Sequence, residues 1–129
     1  MKKLICMAAV SLLIMGSAFG QREVIEDIKT AMKTGSSKEL GKLMFQSVDV
    51  TLNGNIQTYS RTQAEYVLRD FFKKHLPESF TIIHQGASKG GLHFAIGQYL
   101  SKSDTFRVFV RIKGLEGRYL IHEISIDKE

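Results

Sequence analysis

Four runs of β-forming residues follow one another near the C-terminus, with only short turn-forming stretches between them. The runs are Phe80 to Ala87, Leu92 to Leu100, Thr105 to Lys113 and Arg118 to Ile126, and their separators are "SKGG", "SKSD" and "GLEG". A parallel crossover needs a dozen or more residues, so connections this short force neighbouring strands to pair antiparallel. The second half of the chain must therefore be a β-meander, and whatever precedes it must cover one of its faces.

The preceding segment supplies that cover. Val24, Ile25, Ile28, Ala31 and Met32 fall on one helical face. Gly35 offers a left-handed stop. Ser36 with Glu39 has the pattern of a capping box, and Leu40, Leu43 and Met44 form the stripe of a short second helix. The period then changes to two. Val48, Val50 and Leu52 alternate with polar residues as in a strand, and Asn53-Gly54 signals a tight turn into a short return strand near Ile56 to Tyr59. Ser60 and Gln63 cap a third helix with an apolar face of Ala64, Val67, Leu68, Phe71 and Phe72. It ends near His75, because Pro77 restricts the residue before it. The expected fold is α+β: three N-terminal helices with a short β-hairpin inserted, packed on a strongly curved four-stranded antiparallel meander.

Residues 1–20 read as a signal peptide. Lys2 and Lys3 precede an uncharged apolar run, Leu4 to Met15, and "GSAFG" places Ala18 and Gly20 as small residues before Gln21. The run is too short for a membrane span, which needs about 20 apolar residues. Residues 21–129 then form one domain, exported to the periplasm or the exterior, with no stable membrane span after processing. Cys6, the sole cysteine, leaves with the leader, so neither a disulfide nor a cysteine nucleophile is expected. Without Lys2 and Lys3 the chain carries 16 basic and 13 acidic side chains, a charge of +3. The charges are interspersed, with no basic stripe and no tryptophan, which argues against nucleic acid as a partner.

"HQGASKGG", residues 84–91, has the glycines of a phosphate loop. A strand follows it, though, where a phosphate loop would open a helix. It reads as a hairpin tip in which glycine supplies positive φ. His84, His93 and His122 lie on three different strands, so register decides whether they meet. With Phe106, Val108, Val110 and Ile112 as an inner face, a two- or four-residue turn sets Tyr99 opposite Phe106 and His93 near Ile112. A three-residue turn sets Ile96 opposite Val110 and turns His93 outward. Better apolar pairing favours the latter. Asp49, between Val48 and Val50, is expected to face solvent, and Gly97 to mark a bulge or close packing. His84 shares an alternating face with Phe80 and Ile82, so it is expected to point inward at the pocket mouth, with Tyr99 or a ligand oxygen as its hydrogen-bond partner.

The segments "SKELGKLMFQSVDVTL" and "YSRTQAEYVLRDFFKKH" resemble the second-helix-to-first-strand segment and third helix of the nuclear transport factor two-like (cystatin-like) superfamily. More narrowly, "SFTIIHQGASKGGLHFAIGQYLS", "FRVFVRIKG" and "GRYLIHEISIDKE" are similar to the small secreted bacterial domain of unknown function 4783 family, over residues 22–129. The resemblance implies a cone in which a curved sheet wraps a helix, and it implies export. It brings no reaction.

No catalytic set is legible, and neither a cofactor nor a metal is expected. The leading expectation is a non-catalytic domain binding a small ligand or a protein through the cone pocket or the outer sheet face. His84, Tyr99, His122 and Phe45 are the ligand-pocket candidates. Two alternatives stand beside it: a small isomerase- or dehydratase-type enzyme using a pocket histidine, and a sheet-mediated homodimer without a small ligand. The leader reading is testable by N-terminal sequencing of the exported protein, which should begin at Gln21. Intact Met1 on a soluble cytosolic protein would contradict it.

Overall fold

The computed structural model describes residues 23–88, 91–115 and 117–129. The expected leader, its cleavage site at Gly20 and Gln21, and the turn residues Lys89 and Gly90 lie outside them. A first helix, α1, covers residues 23–34 of the described chain. It buries Ile28, Ala31 and Met32 and stops at Gly35, whose φ is +65°. Helix α2 spans Ser37–Lys42. The Ser36 hydroxyl accepts from the Glu39 N–H at 3.2 Å, but the Glu39 carboxylate turns to Lys42 instead of closing the capping box. Helix α3, Arg61–Lys74, has the complete reciprocal box between Ser60 and Gln63 and ends at His75, as its sequence predicts.

The strands are β1 (Met44–Leu52), β2 (Asn55–Ser60), β3 (Pro77–Ser88), β4 (Leu92–Ser101), β5 (Thr105–Leu115) and β6 (Arg118–Lys128). They form one six-stranded sheet in the order β2-β1-β6-β5-β4-β3. This corrects the expected four-stranded meander with a separate hairpin. The β1–β2 hairpin joins the meander because β1 pairs in parallel with β6, Val50 opposite Ile124 and Leu52 opposite Ile126. Met44, expected in the second helix, instead opens β1 opposite Ile121. The two-residue turn Asn53-Gly54, with φ of 50° and 85°, closes the hairpin. It is tied to β6: the Lys128 N–H donates to the Asn53 side chain at 2.9 Å, and the Gly54 N–H to Asp127 at 3.1 Å.

Phe106, Val108, Val110 and Ile112 are all buried, so the inner face of β5 is as expected. Its register against β4 is not. Tyr99 lies opposite Phe106 and His93 opposite Ile112. Leu100 is the last residue of β4 to pair with β5, opposite Thr105, so four residues, 101–104, make the turn between the paired strands, and the three-residue alternative fails. The Ser101 hydroxyl holds this turn, donating to the Asp104 carbonyl at 2.9 Å and accepting from its N–H at 3.2 Å. These two bonds fix the turn and, with it, the register.

The glycine-rich segment is the β3–β4 hairpin connection, with Ser88 opposite Leu92 and Gly91 at φ +75°. Gly97 answers to close packing. A Cβ there would lie 2.3 Å from the edge of the Phe80 ring, which is itself buried in the core. Gly97→Ala should therefore destabilise the fold by about 1–3 kcal/mol, the usual cost of overpacking a core. Chemical denaturation should show the loss as a lower midpoint, and an unchanged midpoint would mean that Phe80 can move aside.

Candidate functional site

One face of α3 does not pack fully onto the sheet. Val67 and Phe71 of that face, with Leu52 at the end of β1 and Ile126 on β6, floor a groove with a volume of about 470 Å³. That is within the ordinary range for small-molecule sites. Asn53 of the hairpin turn closes one side, and Tyr66 forms part of the rim. The polar residues of the wall are Asn53, Asp70, Lys74 and His75. Asp70 and Lys74 pair with each other at 3.0 Å, so their charges largely cancel. Asn53 is held by the Lys128 N–H, and His75 is fixed by several groups around it.

His75 is held from several directions. Its N–H donates to the Phe71 carbonyl at 2.9 Å. Its carbonyl accepts from the Tyr99 hydroxyl, whose pKa burial pushes up, keeping that proton in place. The imidazole packs beside Phe71, 5.1 Å between ring centres, and Phe106, 4.8 Å away edge-on, and these two rings meet each other at 5.1 Å. Its Nδ1 is buried without a hydrogen-bond partner, and the Asp104 carboxylate stands 3.7 Å from it. Asp104 also meets Lys128 at 3.0 Å and the Ser103 hydroxyl at 3.2 Å. The Lys128 hydrogen bond, helped by Ser103 and opposed by desolvation, holds the Asp104 pKa below its ordinary value. The carboxylate thus stays ionised beside the ring.

None of the four pocket candidates read from the sequence lines this groove. Tyr99 comes nearest, fully buried beneath His75. His84 is exposed, and its expected inward orientation is overturned. Ile82 pairs with Gly97 but His84 with Ile96, so Ile83 is an extra residue in the strand. This bulge flips the alternation and sets His84 on the outer face, 5.6 Å from the Phe94 ring. His122 is likewise a bulged residue, lying between Ile121, opposite Ile112, and Glu123, opposite Arg111. Phe45 meets its ring edge-on at 6.2 Å. Asp49 faces solvent as expected and accepts from Thr58 at 2.6 Å, while Glu123 pairs with Arg111 at 3.1 Å. His84, His93 and His122 do not share one face, and among the described residues no cluster of histidines and carboxylates suits a metal ion.

His122 carries a pH consequence. Desolvation chiefly, with Arg111 next, lowers its pKa below the ordinary histidine value, and its Nε2 is buried without a partner. Between the ordinary value near 6.5 and the lower folded value, the unfolded chain binds more protons than the folded one. Stability should therefore fall as pH drops through that window. His122→Phe should remove this contribution and recover part of the roughly 1–3 kcal/mol that an unpaired buried polar atom costs. Thermal melts from pH 8 to pH 5 check it, since the variant should lose less stability on acidification than the parent.

The match to known proteins follows the fold. The family model described as "Domain of unknown function (DUF4783)" matches residues 25–127. A DUF4783 family protein from Bacteroides ovatus is 34% identical, with a TM-score of 0.77 over 80% of this chain and 93% of that one. One from Bacteroides uniformis is 32% identical, with a TM-score of 0.76 over 81% and 95%. An NTF-2-like protein of unknown function from Silicibacter pomeroyi shares the fold at 15% identity, with a TM-score of 0.64 over 87% and 95%. No curated protein matches. With its helices on one face of a single sheet and the family pattern running through all six strands, the chain belongs to the DUF4783 family and has the NTF2-like fold.

Proposed function

We propose that this domain is a non-catalytic binding module, acting outside the cytoplasm after loss of residues 1–20, and that it holds a small ligand between α3 and the ends of β1 and β6. The observation that carries the reading is the groove itself: an apolar floor of Leu52, Val67, Phe71 and Ile126 with two polar residues, Asn53 and His75, held by the protein at its edge. Pockets for small molecules have this composition, mostly apolar with a few placed polar groups. His84 and His122, the histidines an isomerase-type enzyme would use, lie away from the groove.

A second reading has its own support. On the outer face Phe94 and Phe109 lie nearly parallel at 6.2 Å, with His84 beside Phe94 and the Arg111 guanidinium 5.7 Å from the Phe109 ring centre. A half-buried aromatic row of this kind suits a protein partner or a second copy of the chain.

Amide NMR shifts on adding naphthalene separate the two. Groove binding should move Leu52, Val67, Phe71 and Ile126, and Val67→Trp, which fills the groove, should weaken binding about tenfold or more. Shifts confined to Phe94, Ile96 and Phe109, or a dimer in sedimentation analysis that Phe109→Ser abolishes, would favour the outer face.

A further inference from the structure

We infer that the groove takes an uncharged, largely apolar molecule carrying a hydroxyl group, and that Nε2 of His75 accepts the hydrogen bond from that hydroxyl. The inference rests on the ligand-binding reading above and names its ligand class.

The argument begins with the buried edge of the ring. Nδ1 is out of contact with solvent, and the Asp104 carboxylate lies on its side at 3.7 Å. Lys128 and Ser103 hold that carboxylate in place. A lone pair on Nδ1 would face a negative oxygen and be repelled, whereas an N–H there is attracted. The neutral ring therefore keeps its proton on Nδ1, and Nε2 keeps a lone pair. Carboxylates that orient metal-binding histidines fix the tautomer in the same way. Asp104 is thus a positioning residue, acting through His75.

The charges around the ring narrow the ligand further. Lys128 is engaged with Asp104, and Lys74 with Asp70. Among the described residues, the cation in the groove wall, Lys74, already has an acidic partner. Apart from Asn53, a neutral amide whose oxygen accepts from the Lys128 N–H, the remaining surroundings are apolar: Phe71 and Phe106 lie against the ring, and Leu52, Val67 and Ile126 continue the floor. An acceptor set in an apolar groove without free charge matches an alcohol or a phenol better than an acid.

Two measurements test this. A long-range ¹H–¹⁵N NMR spectrum of the protein at pH 8.5 should show His75 with its proton on Nδ1, and Asp104→Ala should shift the population toward Nε2–H. Affinities for naphthalene, 1-naphthol and 1-naphthoate should rank 1-naphthol first, about three- to tenfold ahead of naphthalene. His75→Phe should erase that preference while leaving naphthalene binding in place. An Nε2–H tautomer in the parent, equal affinity for naphthol and naphthalene, or tighter binding of the naphthoate would each overturn the inference even where the groove is occupied. Failure of all three probes to shift Leu52, Val67 and Ile126 overturns the groove reading itself, and the ligand class with it, whatever the tautomer.

Discussion

The parallel pairing of β1 with β6 is the interaction on which the rest of the molecule depends. Without it the chain would be a helical segment with a stray hairpin beside a four-stranded meander. With it, Val50 lies opposite Ile124 and Leu52 opposite Ile126, and one continuous inner face receives the helices. The pairing also places the Asn53-Gly54 turn against the last residues of β6, where the Asn53 and Asp127 side chains complete the backbone hydrogen bonding of two strand ends. The groove exists because Leu52, Asn53 and Ile126 are brought together under α3, from strands more than seventy residues apart in sequence.

Local signals made much of this fold legible. The capping box at Ser60, the left-handed stop at Gly35 and the Asn-Gly turn each act within a few residues, so the sequence shows them directly. The parallel partner of β1 is a long-range choice that no local pattern encodes, and the single sheet was missed for that reason. Period-two reasoning also has a specific point of failure. It holds for Asp49 and for the inner face of β5, where the β1–β2 and β4–β5 ladders are regular. It failed at His84, because Ile83 is an extra residue and everything beyond it changes face. A bulge costs one residue of register and leaves no compositional mark. The Ile-Ile-His stretch looks the same with or without one.

The candidate site was less legible than the fold, and the reason is geometric. His75 enters the sequence as the end of a helix before a proline, where its backbone role attracts notice and its ring does not. Asp104 sits in a four-residue turn that looks like connection. Their meeting depends on that turn having four residues, since this length puts Tyr99 opposite Phe106 and thereby sets both under the end of α3. Register between β4 and β5 thus decides more than packing. One residue fewer would carry Tyr99 to the other face and remove the hydroxyl that holds the His75 carbonyl.

Among the described residues, two buried side-chain nitrogens lack a hydrogen-bond partner, and the contrast between them bears on where function lies. Nε2 of His122 is unpaired on a bulge beside Phe45, with no carboxylate aimed at it by a dedicated turn. It is a cost of bending the strand. Nδ1 of His75 is also unpaired, yet the ring is fixed by its own backbone, by two aromatic neighbours and by a carboxylate that is itself anchored twice. Folding alone gives no reason to orient an imidazole so fully at the edge of a cavity, because a phenylalanine would pack against Phe71 and Phe106 without any polar atom to satisfy. The investment in orientation is explained if the other nitrogen of the ring has something in the groove to recognise.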